Sequence, residues 1–346
     1  MNKIIGYSVI INKALSSNGK NFNIVVIGIR LLFWLLIYKG GFAYFFMLNL
    51  HKRGTKFNQI ISDKVFKKIH DKLNPSYYRP LLEDKYIFDR FMKSYGFPLA
   101  KMQGIIMNNT VFWINNNRTE PLENILNYEL DCYCKMVTKW GGQDVHKLEI
   151  HDRNVIINNK FSDILSLKKM VSGAVFILQT TIHQHPEMNR INNSCVNTIR
   201  AITIHDGETA NNFINYLRLG VGNSIVDNVS HGGLGCRIRE DGMLFNTAMD
   251  KYGYTGRITH HPDSKVEFKG FKIPFYHEAL KLVVRMHQCF HCFFIIGWDI
   301  AITESGPIII EANPVGGILY EQAIYRGVRS KFLEYANSYI KKMNIK

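Results

Sequence analysis

What this 346-residue sequence lacks argues against several classes of protein. Six cysteines are too few in a chain of this length for a disulfide framework, so we expect reduced thiols and a cytoplasmic location. No apolar run reaches the roughly 20 residues that a membrane-spanning helix needs. The sequence also contains no low-complexity tract and no internal repeat, so a repeat architecture is not expected.

The composition that is present is that of an ordinary globular protein with an excess of positive charge. Hydrophobic residues make up 46% of the chain and charged residues 21%. The 43 Lys and Arg residues against 28 Asp and Glu residues give a formal net charge of +15, which favours polyanionic partners such as nucleotides, acidic sugars, anionic lipid or nucleic acid. The basic residues are dispersed and no zinc finger or basic zipper is present, so nucleic acid is not an expected partner.

Two apolar stretches near the beginning of the chain predict two helices. The first covers residues 24–38 and is apolar except for Arg30, and the second covers residues 42–50 and precedes a basic segment at 51–53. We expect these helices either to pack on the rest of the protein or to lie at the inner face of a membrane, with the basic residues beside them. Spanning the membrane is a third alternative, which their length disfavours.

A hairpin with acidic side chains is predicted in the last third of the chain. Apolar residues surround Asp299 and Glu311, and the Ser-Gly-Pro sequence at 305–307 is typical of a turn. A loop of three or five residues would place Asp299 opposite Glu311, with Asn313 two positions further along. Opposite residues have Cβ atoms about 5 Å apart, so these oxygens could share one or two Mg²⁺ ions. The alternative is a buried acid pair satisfied by backbone donors, which is costly without a cation.

The same residues resemble the metal-binding end of the ATP-grasp superfamily, and most closely its sugar-transfer-associated family. The likeness rests on Gly-Trp-Asp-Ile-Ala at 297–301, Gly-Pro at 306–307 and Glu-Ala-Asn at 311–313. It extends through segments 197–200, 217–220, 227–228, 232–233, 261–263 and 270–274, and it covers residues 80–330.

The resemblance implies an α+β ATP-grasp fold, in which two α+β subdomains hold ATP between antiparallel sheets. The expected division of the chain has three parts. Residues 1–79 form an N-terminal helical segment, residues 80–183 a subdomain with the phosphate loop and hinge, and residues 184–346 a subdomain with the metal hairpin and a C-terminal helix.

The resemblance also implies which residues bind the phosphates of ATP. Lys85, at the start of a predicted helix, and Lys135, on a predicted strand, would contact phosphate oxygens. Gly141 and Gly142 would let backbone N–H groups approach the anion. The alternatives are a surface ion pair of Lys85 with Asp84 and a simple hairpin turn at the two glycines.

The rest of the nucleotide is assigned by the same likeness. At the hinge between the subdomains, Gln179, Thr180 and Ile182 would bind the adenine. Glu187 follows at a distance where it would bind a ribose hydroxyl.

Two arginines and a glycine-terminated loop complete the expected site. Arg200 and Arg218 lie on predicted strands and would stabilise the γ-phosphate or an acyl-phosphate, with Lys135 as a further catalytic residue. Structural ion pairs are the alternative for both arginines. The residues expected to bind substrate are Asn197, Arg200, Asn228, His231, Gly232 and Gly233.

The reaction that the resemblance implies is ATP-dependent amide formation. With Mg²⁺ on the β- and γ-phosphates, a substrate carboxylate attacks the γ-phosphorus, and an amine then displaces phosphate from the acyl-phosphate. The family's association with sugar transfer points to a surface polysaccharide, such as capsule or exopolysaccharide, or its precursor, for example a uronic acid joined to an amino acid. Two alternatives stay open: a kinase that phosphorylates a saccharide hydroxyl, and a non-catalytic nucleotide-binding or membrane-assembly protein.

Overall fold

Two antiparallel sheets flanked by helices make up the computed structural model, which describes residues 24–52, 54–138, 144–318, 321–325 and 327–345. One sheet is formed by strands between residues 102 and 180, and the other by strands between residues 198 and 313. This is the α+β architecture that the sequence predicts.

Helices precede, connect and follow the two sheets. Those of the described residues are α1 (Ile24–Leu36), α2 (Phe42–Met47), α3 (Asp63–Leu73), α4 (Pro80–Glu83), α5 (Lys85–Ser94), α6 (Ile164–Val171), α7 (Pro186–Ile191), α8 (Tyr276–Gln288) and α9 (Val328–Lys342). The start of α5 is fixed by Asp84, whose side chain accepts hydrogen bonds from the backbone N–H groups of Tyr86 and Ile87. The helix α3 ends at Leu73 because Asn74 precedes Pro75, and the residue before a proline is disfavoured in the helical region.

The first sheet has eight strands in the order β3-β2-β1-β8-β4-β5-β6-β7. They are β1 (Met102–Met107), β2 (Thr110–Trp113), β3 (Arg118–Pro121), β4 (Leu130–Met136), β5 (Val145–His151), β6 (Asn154–Ile157), β7 (Lys160–Ser162) and β8 (Phe176–Thr180). Side chains alternate between the faces of β4, so Cys132 and Cys134 are buried in the core with Leu167 of α6, while Lys135 faces the other way.

The second sheet has seven strands in the order β13-β12-β11-β10-β9-β14-β15. They are β9 (Thr198–His205), β10 (Ala210–Leu219), β11 (Leu234–Ile238), β12 (Leu244–Asp250), β13 (Gly253–Ile258), β14 (Ile295–Thr303) and β15 (Gly306–Asn313). The two sheets meet at β15, where Ile309 exchanges backbone hydrogen bonds with Pro98 and Ala100 just before β1.

Both faces of the second sheet are covered, which explains why β14 is buried along nearly its whole length. On one face, α5 and α8 contribute Phe88 and Met286 to a core with Trp298. On the other face, α3 and α9 contribute Phe66 and Phe332 to a second core. The helices on the two faces thus hold the strands of the acidic hairpin in place.

The two predicted N-terminal helices are present, and they differ in burial. Phe45 and Phe46 of α2 are buried against the body of the protein. In α1 only Trp34 is fully buried, and its indole N–H donates to Gly41 O at 3.0 Å. Among the described residues no helix is long and apolar enough to cross a membrane.

Candidate functional site

The acidic hairpin consists of β14 and β15, and Asp299 lies directly opposite Glu311, as predicted. The predicted loop length is wrong. Thr303 pairs with Gly306 across a two-residue turn, and the register shifts by one residue at Ile310. This β-bulge gives the pairing expected from an odd-numbered loop, because the extra residue moves Glu311 onto the face of Asp299.

Asp299 and Glu311 have opposite pKa shifts. Burial would raise the pKa of Asp299, but the guanidinium groups of Arg200 and Arg218 outweigh it and hold that pKa below its ordinary value. Burial and the neighbouring Asp299 carboxylate raise the pKa of Glu311, and Lys85 opposes them only partly. A cation between the two acids would favour the charged form of Glu311, so cation binding there is coupled to loss of a proton.

One oxygen of Asp299 is available for a cation. Asp299 Oδ1 is buried and has no hydrogen-bond partner, and Arg200 Nε lies 2.9 Å away without hydrogen-bond geometry. An orphaned carboxylate oxygen beside a second carboxylate fits a hard cation such as Mg²⁺. The part of the chain that the structure describes has no cluster of three or more His, Cys, Asp or Glu side chains for a metal. Phosphate and water would therefore have to complete the coordination, as is common for Mg²⁺.

Arg200 and Arg218 meet at Asp299. Arg200 on β9 pairs directly with Asp299 across the sheet, and Arg218 Nη2 from β10 lies 2.7 Å from Asp299 Oδ2. Arg218 also donates to Thr198 Oγ1 at 3.0 Å and to Asn228 Oδ1 at 2.9 Å. Burial opposes the charge on Arg218, but the nearby carboxylates outweigh it and raise the pKa of Arg218. Arg218 therefore stays charged although it is buried.

Two lysines, one on the first sheet and one on α5, lie at the same place. Lys135 on β4 donates to Gln179 Oε1 on β8 at 2.6 Å, and Lys85 at the start of α5 donates to Val137 O at 3.4 Å. Burial lowers the pKa of Lys135 to about 8, with the Glu311 carboxylate opposing the shift. Burial also lowers the pKa of Lys85, again opposed by Glu311. An anion between these ammonium groups would restore their ordinary charge.

These side chains line one pocket between the two sheets, which has about 770 Å³ of empty space and is partly open to solvent. Its polar lining consists of Lys85, Lys135, Gln179, Thr180, Thr198, Arg218, Asp227, Asn228, Asp299 and Glu311. Its apolar lining consists of Tyr133, Met136, Val145, Ile182, Val196, Ile225, Val226 and Ile310. A charged region next to an apolar one suits a ligand that has both phosphates and a flat ring.

Two polar residues of this pocket, Asp227 and Thr198, are not among the site residues predicted from the sequence. Asp227 is buried and accepts hydrogen bonds from the backbone N–H of Thr198, at 2.8 Å, and from its hydroxyl. It lies 3.4 Å from Arg218 Nη2, and burial raises the pKa of Asp227. The one feature of the sequence that could have indicated Asp227 as a site residue is its position next to the predicted residue Asn228. Its pairing with Thr198 depends on the fold.

Three of the predicted residues have contacts of their own outside the pocket. Glu187 on α7 is ion-paired with Arg190 at 2.6 Å on the exposed surface. Asn197 is fully buried, and its side-chain amide donates to Gln184 Oε1 at 3.0 Å. Asn313 follows Glu311 on β15, and Asn313 Oδ1 accepts a hydrogen bond from the backbone N–H of residue 315 at 2.9 Å. The structure thus brings neither Glu187 nor Asn197 to the acid pair.

The glycine-terminated loop reaches the pocket only through its first residues. His231 is exposed and contacts Ser230 Oγ at 3.2 Å. Gly232 has φ of 103°, a left-handed conformation that favours glycine. The predicted phosphate-loop residues Gly141 and Gly142 lie outside the residues that the structure describes.

Two antiparallel sheets with a pocket between them that is lined by lysines, acids and an arginine are the arrangement expected of an ATP-grasp protein. The model of the sugar-transfer associated ATP-grasp family matches residues 65–333. The chain belongs to this family. No curated protein matches the sequence.

Solved ATP-grasp structures are similar to this chain only at a low level. D-alanine–D-alanine ligase from Helicobacter pylori has 13% identity and a TM-score of 0.43 over 75% of this chain and 61% of that one. The ADP complex of an N5-carboxyaminoimidazole ribonucleotide synthetase has 12% identity and a TM-score of 0.41 over 71% and 52%. This chain spans only 52% to 61% of the length of those two proteins, so their activities do not follow for it.

Proposed function

We propose that the protein is an ATP- and Mg²⁺-dependent carboxylate–amine ligase that acts through an acyl-phosphate. The observation that carries this proposal is the meeting of Asp299, Glu311 and two arginines on the second sheet with two half-buried lysines, Lys135 on the first sheet and Lys85 on α5. A site of this kind can hold a triphosphate, neutralise its charge and exclude water. Those are the main demands of phosphoryl transfer, which needs little covalent chemistry from the protein.

Each group has a role that follows from its charge and position. Lys85 and Lys135 would bind phosphate oxygens, and Mg²⁺ held by Asp299 and Glu311 would supply positive charge to the β- and γ-phosphates. Arg218 would stabilise charge on the transferring group, because it is buried and remains charged. Gln179 and Thr180, at the end of β8, would bind the adenine from the first sheet.

The proposed substrate is a saccharide or a polysaccharide precursor that supplies the carboxylate or the amine. The support is the family's description as sugar-transfer associated and the net charge of +15, which favours an acidic sugar. The amine would come from an amino acid or an amino sugar. Reduced cysteines and nucleotide use agree with action on the cytoplasmic side of the membrane.

The first test is calorimetric titration with a non-hydrolysable ATP analogue, with and without Mg²⁺. The wild-type protein should bind the analogue more tightly with Mg²⁺ than without it. In Glu311→Gln the affinity measured with Mg²⁺ should be at least about tenfold lower than in the wild type. Glu304→Gln, an exposed acid in the turn of the same hairpin, is the matched control and should behave like the wild type. A folded wild-type protein that fails to bind the analogue would refute the nucleotide site.

A second experiment separates a ligase from a kinase. Purified protein is incubated with ATP, Mg²⁺ and pairs of uronic acids and amines, and phosphate release is followed with product mass. A ligase releases inorganic phosphate only when both substrates are present, whereas a kinase leaves a phosphorylated saccharide with a single substrate. Nucleotide binding without turnover on any pair would instead support the non-catalytic alternative.

A further inference from the structure

The helix α1 (Ile24–Leu36) has the reverse of the polarity expected for a surface helix. Its one ionisable side chain, Arg30, points into the protein, where it donates to Leu50 O and Thr55 O, both at 2.8 Å. The Arg30 guanidinium also lies 4.7 Å from the centre of the Phe57 ring. A surface helix in water normally buries apolar residues and exposes charged ones. Here the charge is satisfied inside and apolar side chains face outward.

The outward side chains form one continuous stripe. Ile29, Leu32 and Leu36 are spaced three and four residues apart, so they lie above one another on one face of the helix. Their exposed fractions are 62%, 58% and 70%. Trp34 lies on the opposite face and is fully buried. Single exposed apolar residues are common, but a contiguous apolar stripe indicates an interaction surface.

The segment of the sequence that contains this stripe carries charge of one sign. The first acidic residue of the chain is Asp63, and residues 1–62 contain eight Lys and Arg residues and no Asp or Glu. Two of these lysines, Lys39 just after α1 and Lys56, are exposed. An apolar stripe within a segment that carries only positive charge is complementary to a surface with negative head groups above hydrocarbon.

We infer that α1 binds the surface of an anionic lipid bilayer, with the stripe of Ile29, Leu32 and Leu36 inserted at the head-group boundary and the surrounding lysines on the phosphates. Apolar insertion and attraction to anionic lipid are the two contributions that hold a helix in this plane. The inward position of Arg30 allows the insertion, because no charge has to enter the apolar layer with the stripe.

A second copy of the chain is a less suitable occupant. A two-fold symmetric contact would place the same stripe, and with it the same positively charged segment, against itself. That arrangement brings like charges together, because residues 1–62 contain no acid. Among the described residues, no other element covers the stripe.

The test is co-sedimentation of the full-length purified protein with lipid vesicles. One set contains phosphatidylcholine with roughly one third phosphatidylserine, and the other contains phosphatidylcholine alone. The wild-type protein should sediment with the anionic vesicles, and less so as salt increases. Leu32→Glu/Leu36→Glu should reduce the bound fraction at least about tenfold. Lys39→Glu/Lys56→Glu should weaken the binding and its dependence on salt.

Leu165→Glu provides the matched control. Leu165 lies on another helix, α6, and is 69% exposed, so this change adds the same charge at an equally exposed leucine. It should leave vesicle binding unchanged. Far-ultraviolet circular dichroism that matches the wild type confirms that each variant is folded, and this readout depends on neither nucleotide binding nor membrane binding.

Three results would overturn the inference. One is a folded wild-type protein that sediments with neither type of vesicle. Another is equal sedimentation of the wild type and Leu32→Glu/Leu36→Glu. The third is a dimer in analytical ultracentrifugation that becomes monomeric in this double variant while vesicle binding is absent, which would assign the stripe to a second copy.

Discussion

At the scale of single residues, Lys135 has a charge that depends on pH close to neutrality. Its pKa is lowered to about 8, first of all by burial. Phosphate oxygens would bind the charged form, so the affinity for the Mg²⁺–ATP analogue should be constant below pH 8. Above that value it should fall by up to about tenfold per pH unit, because binding then requires uptake of a proton. The measurement is the dissociation constant between pH 6.5 and 9.5.

The control for this prediction is Lys135→Arg. Arginine stays protonated throughout this range, so the variant should bind the analogue with an affinity that changes little between pH 8 and 9.5. An equal fall in both proteins would assign the pH dependence to another group.

Glu321 gives a residue-scale prediction about stability. It accepts a hydrogen bond from the Tyr216 hydroxyl at 3.2 Å, its second oxygen is buried without a partner, and burial raises its pKa to about 7 from an ordinary 4.5. A raised carboxyl pKa means that the folded state binds the proton more tightly. Its contribution to stability is therefore present below pH 4.5 and is lost as the pH rises to 7.

Glu321→Gln should remove this loss. The amide still accepts the hydrogen bond from Tyr216, but it never has to carry a buried charge. The variant should be more stable than the wild type at pH 8 by on the order of 3 kcal/mol, and about equally stable at pH 4.5. Urea unfolding at the two pH values measures the difference. A variant that is less stable at pH 8 would contradict the assignment.

The sequence predicts the chemistry of single residues better than their partners. Asp299 and Glu311 could be found because charged side chains stood out in apolar strands, and Lys135 because of the family resemblance; all three line the pocket. Asp227 and Thr198 could not be paired from the sequence, since 29 residues separate them and only the packing of β9 beside the loop joins them. Glu187 was chosen by its distance along the chain, but α7 turns it to the surface.

At the scale of elements, the pairing of Asp299 with Glu311 was predicted correctly although the predicted length of the hairpin loop was wrong. A loop of three or five residues was expected to place Asp299 opposite Glu311, and the bulge produces the same pairing after a two-residue turn. The bulge at Ile310 was not predictable, since no glycine marks it. The strand β8 is observed at Phe176–Thr180, so the expected hinge residues Gln179 and Thr180 belong to the strand itself.

Gly233, the residue before β11, lies too close to neighbouring backbone atoms for a larger side chain. A Cβ atom at this position would lie 2.5 Å from Asp227 O and 2.7 Å from Leu219 O, both backbone atoms that cannot move alone. Gly233→Ala should therefore lower the free energy of unfolding by about 1–3 kcal/mol and weaken nucleotide binding through displacement of Asp227. Urea unfolding and calorimetry measure the two effects.

Gly28 is the matched control for that substitution. It lies inside α1, and nothing is within 4 Å of the position that its Cβ would occupy. Gly28→Ala should raise the free energy of unfolding by about 0.5–1 kcal/mol, because alanine loses less backbone freedom in a helix. A stabilising Gly233→Ala would show that the loop can move without cost.

At the scale of the whole molecule, the site is divided between the two sheets. The first sheet and α5 supply Lys85 and Lys135, and the second supplies Arg218, Asp299 and Glu311. The family resemblance predicted this division, but not the backbone connection that Ile309 makes with the segment before β1. That connection holds the edge of the second sheet beside the first, so the two halves of the pocket stay close without a ligand.

A nucleotide that contacts both halves should therefore protect both from hydrogen exchange. With saturating Mg²⁺–ATP analogue, amide exchange should slow at residues 131–137 of the first sheet and at residues 297–301 of the second, because opening either half would break contacts with the same ligand. Mass spectrometry of peptides from the two segments, with and without the analogue, measures this. In Glu311→Gln both segments should lose protection together. Protection confined to one segment would mean that the nucleotide binds to one sheet alone.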